Sequence, residues 1–215
     1  MVTDEGKALE VSARVITRRT ALAGVSAAIA TAAVPSSPAV ALSDGPPPFG
    51  TVRHQFTILQ PVRMVPSVSI TRLDGSTVNF AAFRGKVVLV NFWATWCPAC
   101  RTELPSLDRL QEAMGRKYLE VVAVSADRDG GATVTPFLRR LGIRHLNIGL
   151  DPRARMVRAG DDESATPFPL YGMPISYIVS PSGRIEGYMV GEADWSSEDA
   201  RNLLNYYLDA DQAPR

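Results

Sequence analysis

The sequence has few cysteines, few histidines and almost no net charge. Its 215 residues contain two cysteines and two histidines, and 23 lysines and arginines nearly balance 22 aspartates and glutamates. Two cysteines exclude a disulfide-dense mini-protein and a zinc site of four thiolates, so we expect no metal. The charge balance lacks the basic excess that a nucleic-acid backbone requires, so we expect no nucleic-acid partner. The chain is 46% hydrophobic, which is typical of one globular domain with an additional segment.

The additional segment is the N-terminus, which is organised as an export signal. Arg18 and Arg19 close a polar stretch, the uncharged Ala-rich run Ala21–Val34 follows, and small residues at 39–41 form a cleavage site. The uncharged run is shorter than the ~20 residues of a membrane-spanning helix. The paired arginines favour the twin-arginine route over a Sec signal or an uncleaved anchor. We therefore expect a periplasmic protein, soluble after cleavage or N-terminally anchored without it.

Hydrophobic patterning predicts a single folded domain. We divide the chain into an export signal (1–41), a leader (42–66), a folded domain (67–210) and a tail (211–215). The predicted strands form an N-terminal hairpin (68–79), two buried strands (87–93 and 119–125), a short strand (146–150) and a closing hairpin (175–190). The predicted helices cover 98–114, 133–141, 151 to about 158, and 197–208, with a loop over 160–169. This order predicts an α/β domain whose mixed sheet is covered on both faces.

The two cysteines lie between a predicted buried strand and a predicted helix, in Trp96-Cys97-Pro98-Ala99-Cys100. Their spacing places both sulfurs at the helix N-terminus, where partial positive charge stabilises a thiolate. Pro98 suits the first helical turn, where its missing N–H has no consequence. We expect Cys97 to be the exposed nucleophile and Cys100 the resolving thiol of a redox pair. One alternative is a structural disulfide, but a bridge that closes so short a loop constrains little of the unfolded chain. The other is half of a zinc site, but the chain has no second cysteine pair to complete it.

A glutamate, an asparagine and two tryptophans near the cysteines are candidates for a role at the site. Glu103 lies three residues after Cys100 on the same helix face. It could act as a proton shuttle for the buried thiol, or it could simply complement the helix dipole in the first turn. The side chain of Asn91 cannot titrate, so we favour the interpretation that Asn91 is a polar core residue whose hydrogen bonds are satisfied. Trp93 and Trp96 are expected to pack around the site and limit water, or to serve only as core residues.

Gly172-Met173-Pro174 precedes a predicted strand. A cis bond before Pro174 would leave neighbouring backbone groups free to pair with a substrate strand, and the local sequence leaves cis and trans open. His54 and His145 have no ligand partner by spacing, so we expect them to be surface or core residues.

The stretch from Asn91 to Pro105, Asn-Phe-Trp-Ala-Thr-Trp-Cys-Pro-Ala-Cys-Arg-Thr-Glu-Leu-Pro, resembles the TlpA/ResA-type exported or membrane-associated thioredoxins. Phe83–Lys86, Gly172–Ser176 and Glu192–Ala200 fit the same family. The resemblance implies a thioredoxin fold over the folded domain and a cis bond between Met173 and Pro174. It also implies that Cys97, Cys100 and Glu103 are the catalytic residues, beside a substrate-binding surface at Trp96, Pro98, Met173 and Pro174, with no cofactor beyond the Cys97–Cys100 disulfide.

The same resemblance implies a reductase acting on protein disulfides outside the cytoplasm. Family members reduce apocytochrome c thiols, or the cysteines of copper chaperones and oxidase subunits, with electrons from a membrane thiol transporter of the DsbD/CcdA type. This chain departs from the family in having Pro98 after the first cysteine and Thr166–Pro169 before the cis-proline motif. The redox poise and substrate fit therefore stay open.

Three hypotheses are compatible with the cysteine pair. The first is a periplasmic dithiol reductase, the second is a disulfide-introducing oxidant, and the third is a copper-binding assembly module. Copper chaperones of similar fold space their thiols by three residues, whereas this chain spaces them by two, so the third ranks lowest. After removal of the signal the charges would cancel, which favours partners chosen by backbone pairing and shape near Met173–Pro174.

Overall fold

A computed structural model describes residues 45–65, 67–115, 117–158 and 168–212. The predicted export signal (1–41) and most of the predicted loop, residues 160–167, lie outside the described residues. The strands are β1 (Thr57–Met64), β2 (Ser69–Arg72), β3 (Thr77–Asn79), β4 (Val87–Trp93), β5 (Leu119–Ser125), β6 (Asn147–Leu150), β7 (Val157–Arg158), β8 (Phe168–Pro169), β9 (Ile175–Val179) and β10 (Arg184–Val190). The helices are α1 (Pro98–Met114), α2 (Gly131–Leu141) and α3 (Glu198–Gln212), and a short 3-10 helix spans Phe80–Phe83.

Eight of these strands form one mixed sheet in the order β1-β10-β9-β4-β5-β6-β2-β3. β4, β5 and β6 are parallel to one another, while β9 and β10 form the antiparallel closing hairpin. The N-terminal hairpin of β2 and β3 joins the sheet by pairing β2 with β6. A mixed sheet flanked by three helices confirms the predicted α/β fold class.

The side chains of β4 alternate between the two faces of the sheet, as a strand requires. Val87, Leu89 and Trp93 belong to one hydrophobic cluster, which also holds both cysteines and the buried residues of α1, α2 and α3. Val88, Val90 and Phe92 belong to the other, beneath the 3-10 helix and β7 and β8. Both faces are covered, so every residue of β4 is buried.

The predicted helix from Asp151 to about Arg158 is wrong. The Asp151 carboxylate accepts the backbone N–H of Arg155 at 2.9 Å and of Met156 at 2.7 Å, and Ala154 has a φ of 49°. A side chain that binds backbone N–H groups in this way competes with helix formation. The segment is therefore a turn that leads into β7, which pairs with β8.

The strands and helices extend beyond the domain bounds that the sequence suggests. β1 lies within the predicted leader (42–66) and pairs with β10 as an edge strand. β8 lies at the end of the predicted loop. α3 continues to Gln212, into the predicted tail. None of the helices in the described parts of the chain has both the length and the apolar character needed to cross a bilayer.

Candidate active site

The two cysteines form a disulfide where β4 ends and α1 begins. Their Cα atoms are 5.3 Å apart. Cys97 is the N-cap residue of α1, and its Sγ accepts the N–H of Cys100 at 3.2 Å. Cys97 is 5% exposed and Cys100 is 1% exposed. Both cysteines are therefore largely covered, and Cys97 is the less buried of the two.

The start of α1 favours a thiolate at Cys97. Pro98 is the first helical residue, so its missing N–H removes no helical hydrogen bond. The remaining N–H groups of the first turn point toward the cysteine end of the helix, and the helix dipole is positive there. Both effects stabilise negative charge on Cys97 when the disulfide opens.

Glu103 is buried one helical turn behind Cys100, with an exposed fraction of 2%. Its Oε1 accepts the indole N–H of Trp195 at 2.8 Å and the backbone N–H of Ala193 at 3.2 Å. Its Oε2 accepts the amide of Asn91 at 2.8 Å. Every described donor is neutral, so burial dominates and raises the pKa of Glu103 to about 8. Near neutral pH the carboxyl can exchange a proton with a thiol.

Asn91 connects Glu103 to the neighbouring strand. Its Nδ2 donates to Glu103 Oε2 at 2.8 Å and to Ser176 Oγ at 2.9 Å. Asn91 on β4 and Ser176 on β9 are direct neighbours in the sheet. Its Oδ1 has no hydrogen-bond partner among the described residues. An amide can rotate to present either its donor or its acceptor. Asn91 can therefore serve the ionised and the protonated carboxyl in turn.

Trp195 is the site residue that the sequence pattern alone did not identify. It is fully buried, packs against Phe49 with ring centroids 4.8 Å apart, and binds Glu103 from a position 92 residues further along the chain. Ser106, one turn after Glu103, fixes the same loop by accepting the N–H of Trp195 at 3.1 Å. The only signal was the family resemblance of Glu192–Ala200.

The two tryptophans before the cysteines have different environments. Trp93 is fully buried and stacks on Phe137 at 5.6 Å, as expected for a residue that packs beneath the site. Trp96 is 69% exposed, so the expectation that it packs around the site is wrong. The reason is that Trp96 lies in the turn after β4 ends, where strand alternation no longer fixes its direction. Pro98 is exposed as well.

The other predicted substrate-binding residues, Met173 and Pro174, immediately precede β9. Met173 packs against the cluster that contains both cysteines, Pro174 is buried, and the bond between them is cis, as the resemblance implies. His54 and His145 are exposed, and the His145 ring is 3.1 Å from the Asp108 carboxylate. Among the described residues, no group of three or more His, Cys, Asp or Glu side chains is placed to hold a metal ion.

A thioredoxin-like sheet with a cysteine pair at the start of its first helix defines the class of thiol-disulfide oxidoreductases. A family model described as Redoxin matches residues 61–204, well over half of the chain. The chain therefore belongs to the redoxin family, and its relatives place it with the TlpA/ResA-like members.

Two relatives and one solved structure illustrate the similarity. Thiol-disulfide oxidoreductase ResA from Bacillus thuringiensis (strain Al Hakam) is 26% identical over 130 residues, which cover 59% of this chain and 68% of the relative. Thiol:disulfide interchange protein CycY from Rhizobium leguminosarum bv. viciae is 37% identical over 111 residues, 52% of this chain and 53% of that one. The crystal structure of a thioredoxin family thiol:disulfide interchange protein from Chlorobium tepidum TLS matches with a TM-score of 0.54 at 26% identity, covering 67% of this chain and 95% of that one.

Proposed function

We propose that this protein is a periplasmic reductase that keeps the cysteines of cytochrome c or copper-centre maturation proteins in the thiol form. The observation that carries the proposal is the Cys97–Cys100 pair one turn from a buried carboxyl whose pKa is about 8. Such a carboxyl can take the proton of a buried thiol at neutral pH. The substrate classes come from the TlpA/ResA resemblance, and the names of the relatives support thiol-disulfide exchange.

The reaction is a two-electron exchange between dithiol and disulfide. The Cys97 thiolate attacks one sulfur of a substrate disulfide, forms a mixed disulfide and releases the first substrate thiolate, which takes up a proton. The Cys100 thiol loses its proton, and the resulting thiolate attacks Cys97 Sγ and releases the second substrate thiolate. The protein ends as the disulfide seen here, and the substrate ends as a dithiol.

Glu103 acts on the second step as the proton acceptor for Cys100. Cys100 is 1% exposed, so water reaches its thiol poorly, while Glu103 follows it by three residues on the same helix. Asn91 and Trp195 hold the carboxyl in place through their hydrogen bonds. No cofactor other than the disulfide takes part in these steps.

The substrate approaches over the exposed side of the disulfide. Trp96 and Pro98 flank Cys97 in the chain and are exposed, and Met173 and Pro174 immediately precede β9. We assign these four residues to substrate contact. A membrane thiol transporter of the DsbD/CcdA type would return the disulfide to the dithiol, in keeping with export through the segment 1–41.

The decisive experiment is the capture of substrates with Cys100→Ser. This variant keeps the nucleophile but lacks the resolving thiol, so mixed disulfides through Cys97 should accumulate in periplasmic extract and can be identified by mass spectrometry. Cys97→Ser is the matched control and should capture nothing. Recovery of cytochrome c or copper-centre maturation proteins supports the proposal, whereas equal recovery with both variants contradicts it.

The redox potential of the pair tests the direction of the exchange. A potential near −270 mV, typical of a thioredoxin, is expected for a reductase, and a value near −120 mV would instead identify a disulfide-introducing oxidant. Equilibration with glutathione or dithiothreitol buffers measures it directly.

A further inference from the structure

A cleft of about 430 Å³ lies between the start of α1 and α2. Its volume lies within the range of ligand-binding pockets. It is lined by Thr95, Arg101, Thr133, Phe137, Arg140 and Leu141. None of these six side chains has a role in the thiol exchange described above, although Phe137 stacks on Trp93.

The two arginines of the cleft are exposed and have no partner in the described part of the chain. Neither guanidinium forms an ion pair or a hydrogen bond there, whereas Arg184 pairs with Glu186 at 3.0 Å and Arg109 binds Ser196 at 3.2 Å. α2 itself carries no acidic residue. An unpaired guanidinium presents a planar set of donors that matches a carboxylate. The cleft therefore has two carboxylate-binding groups on one side of the molecule.

The floor of the cleft is apolar. Phe137 is 8% exposed and stacks on the buried Trp93, so its ring is fixed. Leu141 extends this apolar surface toward the end of α2, and Thr133 also lines the cleft. A cationic rim over an apolar floor fits a carboxylate on a short aliphatic stem, which is the chemistry of Asp and Glu side chains.

The cleft is next to the disulfide along the chain. Arg101 directly follows Cys100, and Thr95 precedes Cys97 by two residues. The positive end of the α1 dipole adds to the local potential. A segment bound in the cleft would therefore belong to the same partner whose disulfide reaches Cys97.

We propose that this cleft is a subsite for an acidic segment of the protein disulfide substrate, with Arg101 and Arg140 pairing with its Asp or Glu side chains. The proposal rests on the proposed reductase function for its biological meaning, but its binding chemistry can be tested separately. It also adds a charge contribution to the expectation that partners are chosen by backbone pairing and shape, since the balanced total charge conceals a local basic site.

The test compares two disulfide peptides that differ only in two residues beside the disulfide, Glu-Glu in one and Gln-Gln in the other. The reduced full-length protein should reduce the acidic peptide about 5–10 times faster at low salt, and the ratio should approach one at high salt because exposed charges are screened. Taking the ratio cancels any effect of a variant on the thiols themselves.

The variants separate a built subsite from a general field. Arg140→Glu should bring the acidic-to-neutral ratio to one or below, and Arg101→Glu should do the same. Arg140→Lys should keep much of the preference. Arg139→Glu makes the same charge change at an exposed arginine of the same helix that does not line the cleft, and it should leave the ratio within about twofold.

A ratio of one for the parent protein, or an equal loss in Arg139→Glu, would overturn the subsite. A binding measurement keeps this conclusion independent of the reductase proposal. Peptides with serine in place of both cysteines should bind the oxidised protein more tightly when acidic, and this difference should vanish in Arg140→Glu. If neither disulfide peptide is reduced but the binding difference persists, the reductase proposal fails and the subsite stands.

Discussion

Helix α1 separates two clefts of opposite character. On the α2 side, Arg101 and Arg140 face solvent without a described partner. On the other side is a cleft of about 380 Å³ that contains carboxylates. It is lined by Thr51, Thr102, Glu103, Ser106, Arg109, Glu192, Ala193 and Asp194. Its single arginine, Arg109, is already hydrogen bonded to Ser196.

The difference shows how one helix can serve two tasks. The basic side offers charge to a partner at the surface, where desolvation costs little. The acidic side keeps Glu103 buried with neutral donors only, so its carboxyl favours the protonated form. A cation beside Glu103 would instead favour the ionised form of its carboxyl.

The largest expected effect is on stability. The pKa of Glu103 is raised from 4.5 to about 8 by burial, so the folded protein binds a proton that the unfolded chain releases between these values. Stability is therefore greatest below pH 4.5 with respect to this group and falls as the pH rises toward 8. Between these pKa values the free energy of unfolding should fall by about 1.4 kcal/mol for each pH unit. Glu103→Gln should remove this loss.

Thermal unfolding of the oxidised protein measures this effect. The Tm of Glu103→Gln relative to the parent should rise by about 3–5 °C per pH unit between pH 5 and pH 8. The glutamine can keep its contacts because the Asn91 amide can rotate its free Oδ1 toward it. Glu120→Gln is the contrasting control, since it removes the ion pair with Lys86 and should lower the Tm. A constant Tm difference for Glu103→Gln would show that Glu103 stays ionised in the fold.

The next largest effect is on the rate of thiol-disulfide exchange. Glu103→Gln removes the proton acceptor that we propose for Cys100, so the resolving step should slow about 10–100-fold at pH 7, at the low end of general acid–base contributions. The parent rate should rise with pH as Glu103 ionises around pH 8, and the variant should lack that rise. Stopped-flow tryptophan fluorescence can follow the step.

Glu112→Gln is the matched control for the rate. Glu112 lies on the same helix with a side chain that is 63% exposed, and its replacement should leave the rate and its pH dependence unchanged. An unaltered rate in Glu103→Gln would remove Glu103 from the mechanism and leave it a structural role only.

The acidic and basic sides of α1 were not equally predictable from sequence. β4, the cysteine pair and Glu103 lie within one short stretch, so strand pattern and helix periodicity were enough to place them together. Two of the partners of Glu103 come from elsewhere, since Ala193 and Trp195 both lie on the loop after β10. No local pattern specifies which distant side chain closes over a buried carboxyl.

Two errors have the same physical origin. Asp151-Pro152 has the composition of a helix start, but the Asp151 carboxylate binds the N–H groups of Arg155 and Met156 and forms a turn instead. Trp96 continues an aromatic-rich stretch, but the strand has already ended at Trp93. In both cases the direction of one side chain determines the local structure or its burial, and amino-acid composition does not specify that direction.

A smaller effect is expected from the indole that binds Glu103. Its hydrogen bond stabilises the ionised carboxyl, so Trp195→Phe should raise the pKa of Glu103 further, by about one pH unit. Titration of the 13C-labelled glutamate carboxyl by NMR measures the shift. Trp93→Phe makes the same change at another fully buried tryptophan, whose N–H has no partner among the described residues. It should leave the Glu103 titration in place, and equal shifts in both variants would mean that lost packing, not the hydrogen bond, is responsible.

The smallest effect concerns Glu192, an exposed residue at the mouth of the acidic cleft. Its negative charge adds to the forces that raise the pKa of Glu103, so Glu192→Gln should lower that pKa. Exposed charges interact by about 0.2–1 kcal/mol, which corresponds to a pKa shift of about 0.15–0.7 unit. The shift should shrink at high salt because the charge is exposed, while Glu198→Gln, an exposed glutamate on α3, should produce none. A shift that persists at high salt would instead indicate that the substitution moves the loop carrying Ala193 and Trp195, and with it the hydrogen bonds to the buried carboxyl.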